Sequence, residues 1–217
     1  YLNGQAQAVP RPPFDVVFHL AGQASIAACH ANPATAFVAN VGGTVGVLEA
    51  CRRYRDRGQP LSVVTASSNH AYFGGTRGSM KAVTEDAALA AVDAYGASKA
   101  MADQWARAYA SSYGLPVIAL RHVNGYGEAC AAREHIVPAT ILRLLDGQPP
   151  IIRSDGTPVK SYLHVSDIVA AYVHAAELVT ARPSLAGAYN VGGVTISVLA
   201  LVDRLIAVSG LDLVPEI

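Results

Sequence analysis

Short apolar runs alternate with longer stretches of helical periodicity over the first two thirds of the chain. The apolar runs, which predict buried strands, are FDVVFHLAG, LSVVTASS and PVIALR. Apolar residues at helical spacing lie at 34–53, 94–113 and 136–146, and a glycine follows each of the last two stretches. Strands that alternate with helices form a parallel sheet covered on both faces. The pattern therefore predicts an α/β fold with a doubly wound parallel sheet.

The predicted elements become shorter after residue 148. They are PPIIRSDG, SYLHVSD, a helix over 166–179, AYNVGG and a helix over 197–209. We therefore expect a first domain at 1–148, which holds the sheet, and a small C-terminal lobe at 149–217.

Composition limits the class of protein. Hydrophobic residues make up 52% of the 217 residues, enough for a buried core, and 16 Lys and Arg balance 16 Asp and Glu. A balanced charge gives no general attraction to nucleic acid or to an anionic membrane, so we expect neither as a partner. Cys29, Cys51 and Cys130 are odd in number and widely spaced, which favours reduced thiols over disulfides or a zinc site. With no signal-peptide pattern and no apolar run near about 18 residues, the sequence predicts a cytoplasmic protein without a metal site.

Tyr95 and Lys99 lie one turn apart near the start of the helix predicted over 94–113. Residues at i and i+4 share one face of a helix, so the phenol and the ammonium can converge on one point. An ammonium close to a phenol favours the phenolate and lowers its pKa, which would make Tyr95 an acid or base near neutral pH. The alternative is a Tyr and a Lys that share a solvated helix face.

The segments at the ends of the predicted strands are HLAGQAS, TASSNHAY and RHVNGYG. In doubly wound sheets the ligand binds beyond the carboxyl ends of the strands. These three segments are rich in small and hydrogen-bonding residues, although loops are polar for other reasons too. The sequence therefore predicts a ligand site at this edge of the sheet.

Seven segments occur in the order and approximate spacing of one known family: HLAGQAS (19–25), NVGGT (40–44), TASSNHAY (65–72), YGASK (95–99), RHVNGYG (121–127), SYLHVSD (161–167) and YNVGG (189–193). The chain resembles the extended short-chain dehydrogenase/reductase family, and within it the nucleotide-sugar epimerases and dehydratases, with the greatest likeness to the CDP-glucose 4,6-dehydratases. The resemblance implies a Rossmann-like fold, NAD as cofactor with NADP left open, a nucleotide-diphosphate sugar as substrate, and a homodimer. It makes 1–148 a partial NAD(P)-binding domain with the catalytic residues, and 149–217 a partial substrate-binding lobe.

The resemblance implies catalytic roles for individual residues. Tyr95 would be the acid/base for a sugar hydroxyl while hydride passes between the sugar carbon and the nicotinamide. Lys99 would bind the nicotinamide ribose and lower the pKa of Tyr95. Ser68 would hydrogen-bond the reacting oxygen, with a turn-capping Ser as the alternative and Ser67 as a less favoured occupant of the role.

Binding roles are implied in the same way. The implied cofactor-binding residues are Leu20, Ala21, Gly22, Asn40, Tyr95 and Lys99. The implied substrate-binding residues are Ser68, Asn124 and Lys160, the last two on the diphosphate. Small residues let the main chain approach a cofactor closely. The alternatives are that Asn40 is an ordinary helix-end residue and that Lys160 is a solvated surface residue.

The chain departs from the family pattern at the phosphate loop. The motif G-x-x-G-x-x-G is absent, and Gly42, Gly43 and Gly46 do not replace it because they lie within a helical pattern without a preceding strand. We therefore expect an internal fragment of a longer enzyme, in which the N-terminal part of the Rossmann-like sheet is missing and dinucleotide binding by the fragment alone is weak.

A second departure follows Ser68. The family's 4,6-dehydratases carry an Asp and then a Glu or Lys at the positions that here hold Asn69 and His70. An amide cannot exchange a proton at neutral pH, whereas a His can, so His70 is a candidate acid/base. His70 is equally well interpreted as a hydrogen-bonded loop residue. Ser161 also replaces a usual Asp.

Three functions follow from these observations. The first is an NAD-dependent nucleotide-sugar 4,6-dehydratase or epimerase. The second is a non-catalytic Rossmann-like protein that binds a nucleotide or a partner. The third is a reductase of a small ketone, against which the long segment REHIVPATILRLLDGQPPIIRSDG counts, because a small ketone needs no such lobe.

Overall fold

Parallel strands form the main sheet of the computed structural model, which describes residues 14–72 and 82–217. The strands are β1 (Val16–His19), β2 (Ser62–Ala66), β3 (Val117–His122), β4 (Asn124–Tyr126), β5 (Val159–His164), β6 (Gly187–Val191) and β7 (Val194–Ser197). The main sheet has the order β1, β2, β3, β6, and all of its pairs are parallel. The predicted parallel sheet is therefore confirmed, and the carboxyl ends of β1, β2 and β3 lie at one edge.

Helices alternate with these strands as predicted. They are α1 (Ile26–Ala31), α2 (Pro33–Phe37), α3 (Gly43–Arg55), α4 (Ala94–Tyr113), α5 (Ile136–Leu145), α6 (Val165–Ala181) and α7 (Val198–Ser209). Helix α4 has the predicted bounds and ends at Gly114, whose φ of 63° is left-handed. The segment PPIIRSDG differs from the prediction, because it contributes one bridge between Ile151 and Glu216 and no longer strand.

The helix predicted over 34–53 is interrupted. A π-helical turn at Val38–Gly42 joins α2 to α3. One additional residue in a turn rotates the side chains that follow, and such turns often occur at functional sites. Here the turn contains the buried Asn40.

Both faces of the main sheet are covered by helices. Val63, Val117 and Ala119 pack with α3 and α4, whereas Val64, Ile118 and Leu120 pack with α6. Side chains alternate between the two faces of a strand, so neighbouring residues enter different cores. This arrangement confirms the doubly wound, Rossmann-like fold class.

A smaller sheet has the order β4, β5, β7, and near it α5 packs against α7. Part of the segment 149–217 joins the main sheet instead, since β6 pairs with β3 and α6 covers one face. The domain boundary at 148/149 remains a prediction.

The continuous helical stretch Pro33–Arg55 contains an 18-residue window with a mean hydropathy of 1.3, so by length and composition it could cross a membrane. The prediction that no apolar run approaches such a span is wrong in that respect. Its buried residues recur at helical spacing: Ala36, Asn40, Val41, Thr44, Leu48 and Cys51. They pack towards α4 and the sheet, which is the behaviour of a core helix.

A buried ion pair joins the sheet to α4. The Arg121 side chain is 1% exposed, and it donates from Nε to Asp103 Oδ2 at 2.8 Å and from Nη2 to Asp103 Oδ1 at 2.7 Å. Its Nη1 donates to the Tyr72 hydroxyl at 2.6 Å and to the Glu85 carbonyl at 2.8 Å. Tyr72 in turn donates to Asn190 Oδ1 at 2.7 Å. The guanidinium therefore links β3, α4, β6 and the segment before α4.

We expect Asp103→Ala to lower the free energy of unfolding by about 3–5 kcal/mol, because Arg121 would remain buried as a charge without its carboxylate. Urea denaturation measures this loss. The control is Asp56→Ala, because Asp56 pairs with Arg52 at 2.7 Å on the surface, where ion pairs contribute little. Equal losses in the two variants would contradict the assigned importance of the buried pair.

Candidate active site

The start of α4 places Tyr95 and Lys99 at the carboxyl end of β2. Asp93 caps the helix, and its Oδ1 accepts a hydrogen bond from Gly96 N at 2.9 Å. Lys99 is buried, and its Nζ donates to the carbonyl of Ala66, the last residue of β2, at 3.1 Å. The ammonium therefore lies at the predicted edge of the sheet, and the solvated-face alternative does not describe Lys99.

The Ser68 side chain lies close enough to the Tyr95 phenol to lower its pKa. Ser68 is buried and begins the single 3₁₀ turn Asn69–Ala71, where its Oγ accepts from His70 N at 3.2 Å. Ser68 thus caps a turn and contacts the candidate acid/base at the same time, so the two interpretations from the sequence are compatible. The predicted Ser68, Tyr95 and Lys99 are brought together.

The pKa of Tyr95 differs from the prediction. Burial raises the pKa of Tyr95, because the phenolate would lose its hydration, and the nearby Ser68 side chain lowers it by a smaller amount. Lys99 directs its ammonium at the Ala66 carbonyl, and burial lowers the pKa of Lys99 as well. The prediction that Lys99 brings the Tyr95 pKa down is therefore wrong for this structure, in which Tyr95 is a neutral phenol at pH 7.

Gly96 allows the turn after β2 to lie against α4. A Cβ on Gly96 would lie 2.5 Å from the His70 carbonyl oxygen and 3.0 Å from Ala91 Cβ. The His70 and Tyr95 rings are in edge contact, with centroids 5.6 Å apart. The sequence analysis did not identify Gly96, although a glycine directly after the candidate acid/base was a visible signal of close approach.

Asn40 holds the loop after β1. Its Oδ1 accepts from Gln23 N at 2.7 Å, and its Nδ2 donates to Gln23 O at 3.0 Å and to Ser98 Oγ at 2.8 Å. Ser98 Oγ donates to the Tyr95 carbonyl at 2.7 Å. The amide of Asn40 is thus bonded to the chain itself, so its observed contacts position the loop, and a direct cofactor contact remains a prediction.

The backbone at Leu20, Ala21 and Gly22 is exposed at the carboxyl end of β1. A Cβ on Gly22 would lie 2.6 Å from Asn40 Oδ1 and 3.8 Å from Lys99 Nζ. Only glycine leaves this space beside the lysine open. Their role in cofactor binding remains a prediction.

His70 lies between groups of opposite charge. Burial lowers the pKa of His70, Lys160 lowers it further, and Asp93 opposes both. Its Nδ1 is buried and has no hydrogen-bond partner among residues 14–72 and 82–217. His70 is therefore a neutral imidazole at pH 7, with one ring nitrogen unused by the described chain.

The two residues predicted to bind diphosphate lie on the smaller sheet. Asn124 of β4 donates from Nδ2 to the Ser161 carbonyl of β5 at 3.0 Å. Lys160 is exposed on β5 and lies close enough to affect the His70 pKa. Ser161, which replaces a usual Asp, shares a hydrogen bond of 2.6 Å with Thr195 of β7, so the structure gives it a role in strand pairing.

Two histidines that the sequence analysis missed lie near Lys99. His19 and His122 are the last residues of β1 and β3, and burial lowers the pKa of both. The Lys99 charge lowers both further, whereas a hydrogen bond with the Val123 carbonyl opposes the shift at His122. His19 Nε2 is hydrogen-bonded to Thr44 Oγ1 at 3.0 Å. Their signal was their position in HLAGQAS and RHVNGYG. No group of three His, Cys, Asp or Glu side chains suited to a metal occurs in the described ranges.

We expect Gly96→Ala to destabilise the protein by about 1–3 kcal/mol, because the added methyl group would overlap the His70 carbonyl. The control is Gly46→Ala in α3, where a Cβ meets no atom within 4 Å and a helical Ala should be stabilising. Urea denaturation compares the two variants. A stabilising Gly96→Ala would show that the turn and α4 are not tightly packed.

Comparisons with known proteins agree with this geometry. Residues 5–192 match the NAD dependent epimerase/dehydratase family. The dTDP-glucose 4,6-dehydratase of Xanthomonas campestris pv. campestris is 32% identical over an alignment of 184 residues, and the match covers 82% of this chain and 50% of that protein. The chain thus spans about half the length of the curated relatives it matches.

Solved structures lead to the same family. The UDP-N-acetylglucosamine 4-epimerase of Methanobrevibacter ruminantium M1, in complex with UDP-N-acetylmuramic acid, has a TM-score of 0.81 and 26% identity. The match covers 93% of this chain and 63% of the epimerase chain. The dTDP-glucose 4,6-dehydratase of Bacillus anthracis str. Ames, in complex with NAD, has a TM-score of 0.75 and 29% identity. That match covers 91% of this chain and 57% of the dehydratase chain. The resemblance to extended short-chain dehydrogenases/reductases is confirmed, and the chain belongs to the NAD dependent epimerase/dehydratase family.

Proposed function

We propose that this chain carries the catalytic residues of an NAD-dependent enzyme that converts a nucleotide-diphosphate sugar, as a 4,6-dehydratase or an epimerase. The observation that carries the proposal is the convergence of Ser68, Tyr95 and Lys99 at the carboxyl edge of the parallel sheet. A non-catalytic protein would have no need of a buried lysine and of a phenol beside a serine hydroxyl at this edge. The lobe that holds Asn124 and Lys160 favours a nucleotide sugar over a small ketone.

The proposed reaction begins at a hydroxyl on a sugar carbon. Tyr95, in its phenolate form, takes the hydroxyl proton and becomes the neutral phenol, and Ser68 donates a hydrogen bond to the same sugar oxygen. NAD, when bound, supplies the hydride acceptor. Because burial raises the Tyr95 pKa, oxidation should become faster as the pH rises towards that pKa, and the neutral phenol is ready to return its proton when a ketone is reduced.

The residues that would hold the nicotinamide ribose are the backbone at Leu20, Ala21 and Gly22, with Lys99 beside them. Asn40 supports them through its three hydrogen bonds to Gln23 and Ser98. The sequence has no G-x-x-G-x-x-G loop, so these residues account for one end of the cofactor.

Asn124 and Lys160 are proposed to bind the substrate diphosphate. Lys160 is exposed, and its charge acts on His70, so an anion near Lys160 would also lie near the site. The names of the relatives carry dTDP and UDP, so the nucleotide base of this substrate, CDP included, stays open.

The step after oxidation depends on Asn69 and His70. Loss of water requires one group to take a proton from C5 and another to protonate the C6 hydroxyl. His70 is a neutral imidazole and can do one of these, whereas Asn69 can do neither. Epimerisation requires less of this proton chemistry. We therefore propose dehydration and epimerisation as alternatives, and the sequence resemblance slightly favours dehydration.

We also propose a homodimer and a cytoplasmic location. An apolar stripe on α4 includes the half-exposed Met101 and Trp105 and would be covered by a second copy. Light scattering of the purified protein tests the dimer. All three cysteines are free, which suits a reducing compartment.

In a protein completed to the length of its relatives, Tyr95→Phe should lower the rate of hydride transfer by about 10²–10⁴-fold, since the acid/base is lost. NAD affinity should stay within about 2-fold, because the phenol acts mainly in the transition state. Stopped-flow NADH absorbance and calorimetry measure the two quantities. Tyr113→Phe, at the far end of the same helix, is the control. A Tyr95→Phe variant that forms NADH at the wild-type rate would remove Tyr95 from the mechanism.

The products identify the reaction. We expect the completed protein to convert at least one CDP-, dTDP-, UDP- or GDP-hexose in the presence of NAD. Mass spectrometry and NMR identify the products. Loss of one water identifies a dehydratase, whereas unchanged mass with an inverted ring carbon identifies an epimerase. If it is a dehydratase, Asn69→Asp should raise elimination by about 10²-fold or more, and Asn69→Ala should not. No conversion or binding across the panel would overturn the substrate class.

A further inference from the structure

The turn that carries Ser68 and His70 is anchored at both ends to consecutive residues of β3. Before the turn, Ser67 N donates to the Leu120 carbonyl at 2.9 Å. After the turn, the Tyr72 hydroxyl accepts from Arg121 Nη1 at 2.6 Å. The turn is therefore attached to one strand through a main-chain bond and a side-chain bond.

The interior of the turn leaves little freedom between these anchors. Ala71 N donates to Ser68 O at 3.1 Å, and Tyr72 N donates to Asn69 O at 3.2 Å. His70 N donates to Ser68 Oγ at 3.2 Å. Three hydrogen bonds therefore hold the turn between Ser68 and Tyr72, and one of them is to the Ser68 hydroxyl.

The anchor at Tyr72 is shared with the helix that carries Tyr95. Arg121 binds Asp103 of α4 through two hydrogen bonds, and its Cζ lies 5.0 Å from the centre of the Tyr72 ring. Tyr72 also donates to Asn190 of β6. One guanidinium therefore contacts both the last residue of the turn and α4, in addition to the direct packing of the turn at Gly96.

From these contacts we infer that Tyr72, held by Arg121, is a positioning residue of the proposed enzyme, which keeps the Ser68 side chain beside the Tyr95 phenol. The inference rests on the proposed function for its catalytic consequence. Its structural part concerns the Ser68 to Tyr95 contact alone.

Tyr72→Phe removes the hydroxyl and keeps the ring over Arg121. The matched control is Tyr109→Phe, because Tyr109 is also a buried phenol, bonded to the Glu49 carboxylate at 3.3 Å in a different part of the molecule. If both phenols had a merely structural role, both variants would leave Tyr95 unchanged.

The first measurement is the ionisation of Tyr95 in the completed protein, followed by NMR of ¹³Cζ-tyrosine and assigned with Tyr95→Phe. Because the nearby Ser68 side chain lowers the Tyr95 pKa, displacement of Ser68 in Tyr72→Phe should raise that pKa by at least about 0.5 unit. Tyr109→Phe should not change it. An unchanged Tyr95 pKa in Tyr72→Phe would overturn the inference.

The second measurement is steady-state kinetics on whichever nucleotide sugar the panel identifies. A displaced Ser68 should lower kcat by about 10–100-fold with KM within about 2-fold, since positioning acts on the reacting atoms. Arg121→Lys keeps a charge opposite Asp103 but loses the guanidinium N–H that donates to Tyr72. It should therefore lower kcat in the same way as Tyr72→Phe. If the Tyr95 pKa shifts and no sugar is converted, the proposed function fails and the positioning role stands. If conversion is normal in Tyr72→Phe, the positioning role fails and the proposed function stands.

Discussion

The arrangement of the site depends on the buried pair between Arg121 and Asp103. A guanidinium at the end of an interior strand is tolerated because two hydrogen bonds to one carboxylate, and others to Tyr72 and Glu85, replace its lost hydration. These bonds have fixed directions, unlike apolar contacts, so the pair defines one position of α4 along the sheet. Tyr95 and Lys99 then have a fixed position relative to the end of β2.

Much of this fold could be predicted from periodicity. The strand β3 follows from the apolar run PVIALR, and the bounds of α4 follow from Asp93 as its cap and Gly114 as its left-handed end. The π-helical turn at Val38–Gly42 could not be predicted, because a single extra residue in a turn leaves the apolar spacing almost unchanged. The partner of Arg121 was also hidden, since it lies 18 positions away on another element.

The candidate site shows the same limit. The spacing of Tyr95 and Lys99 predicted that both residues share one face of a helix, yet it said nothing about burial or about the direction of the ammonium. An opposite charge nearby lowers a phenol pKa and burial raises it, and both effects amount to several pKa units at most. Here burial prevails, because Lys99 donates to the Ala66 carbonyl. Sequence spacing predicts which residues meet, whereas the dielectric environment decides their ionisation.

The residues that hold the turn after β2 differ from those that face the reaction. Its geometry is set by the main-chain bonds of Ala71 and Tyr72, by the Tyr72 hydroxyl and by the space at Gly96. The side chain of Asn69 makes one contact in the turn, since its Oδ1 accepts from Ser68 Oγ at 3.5 Å. A different side chain at 69 or 70 leaves the main-chain anchors available, while each type gives a different proton chemistry. This separation explains why the fold and the family follow firmly from the chain, while dehydration and epimerisation must be distinguished by their products.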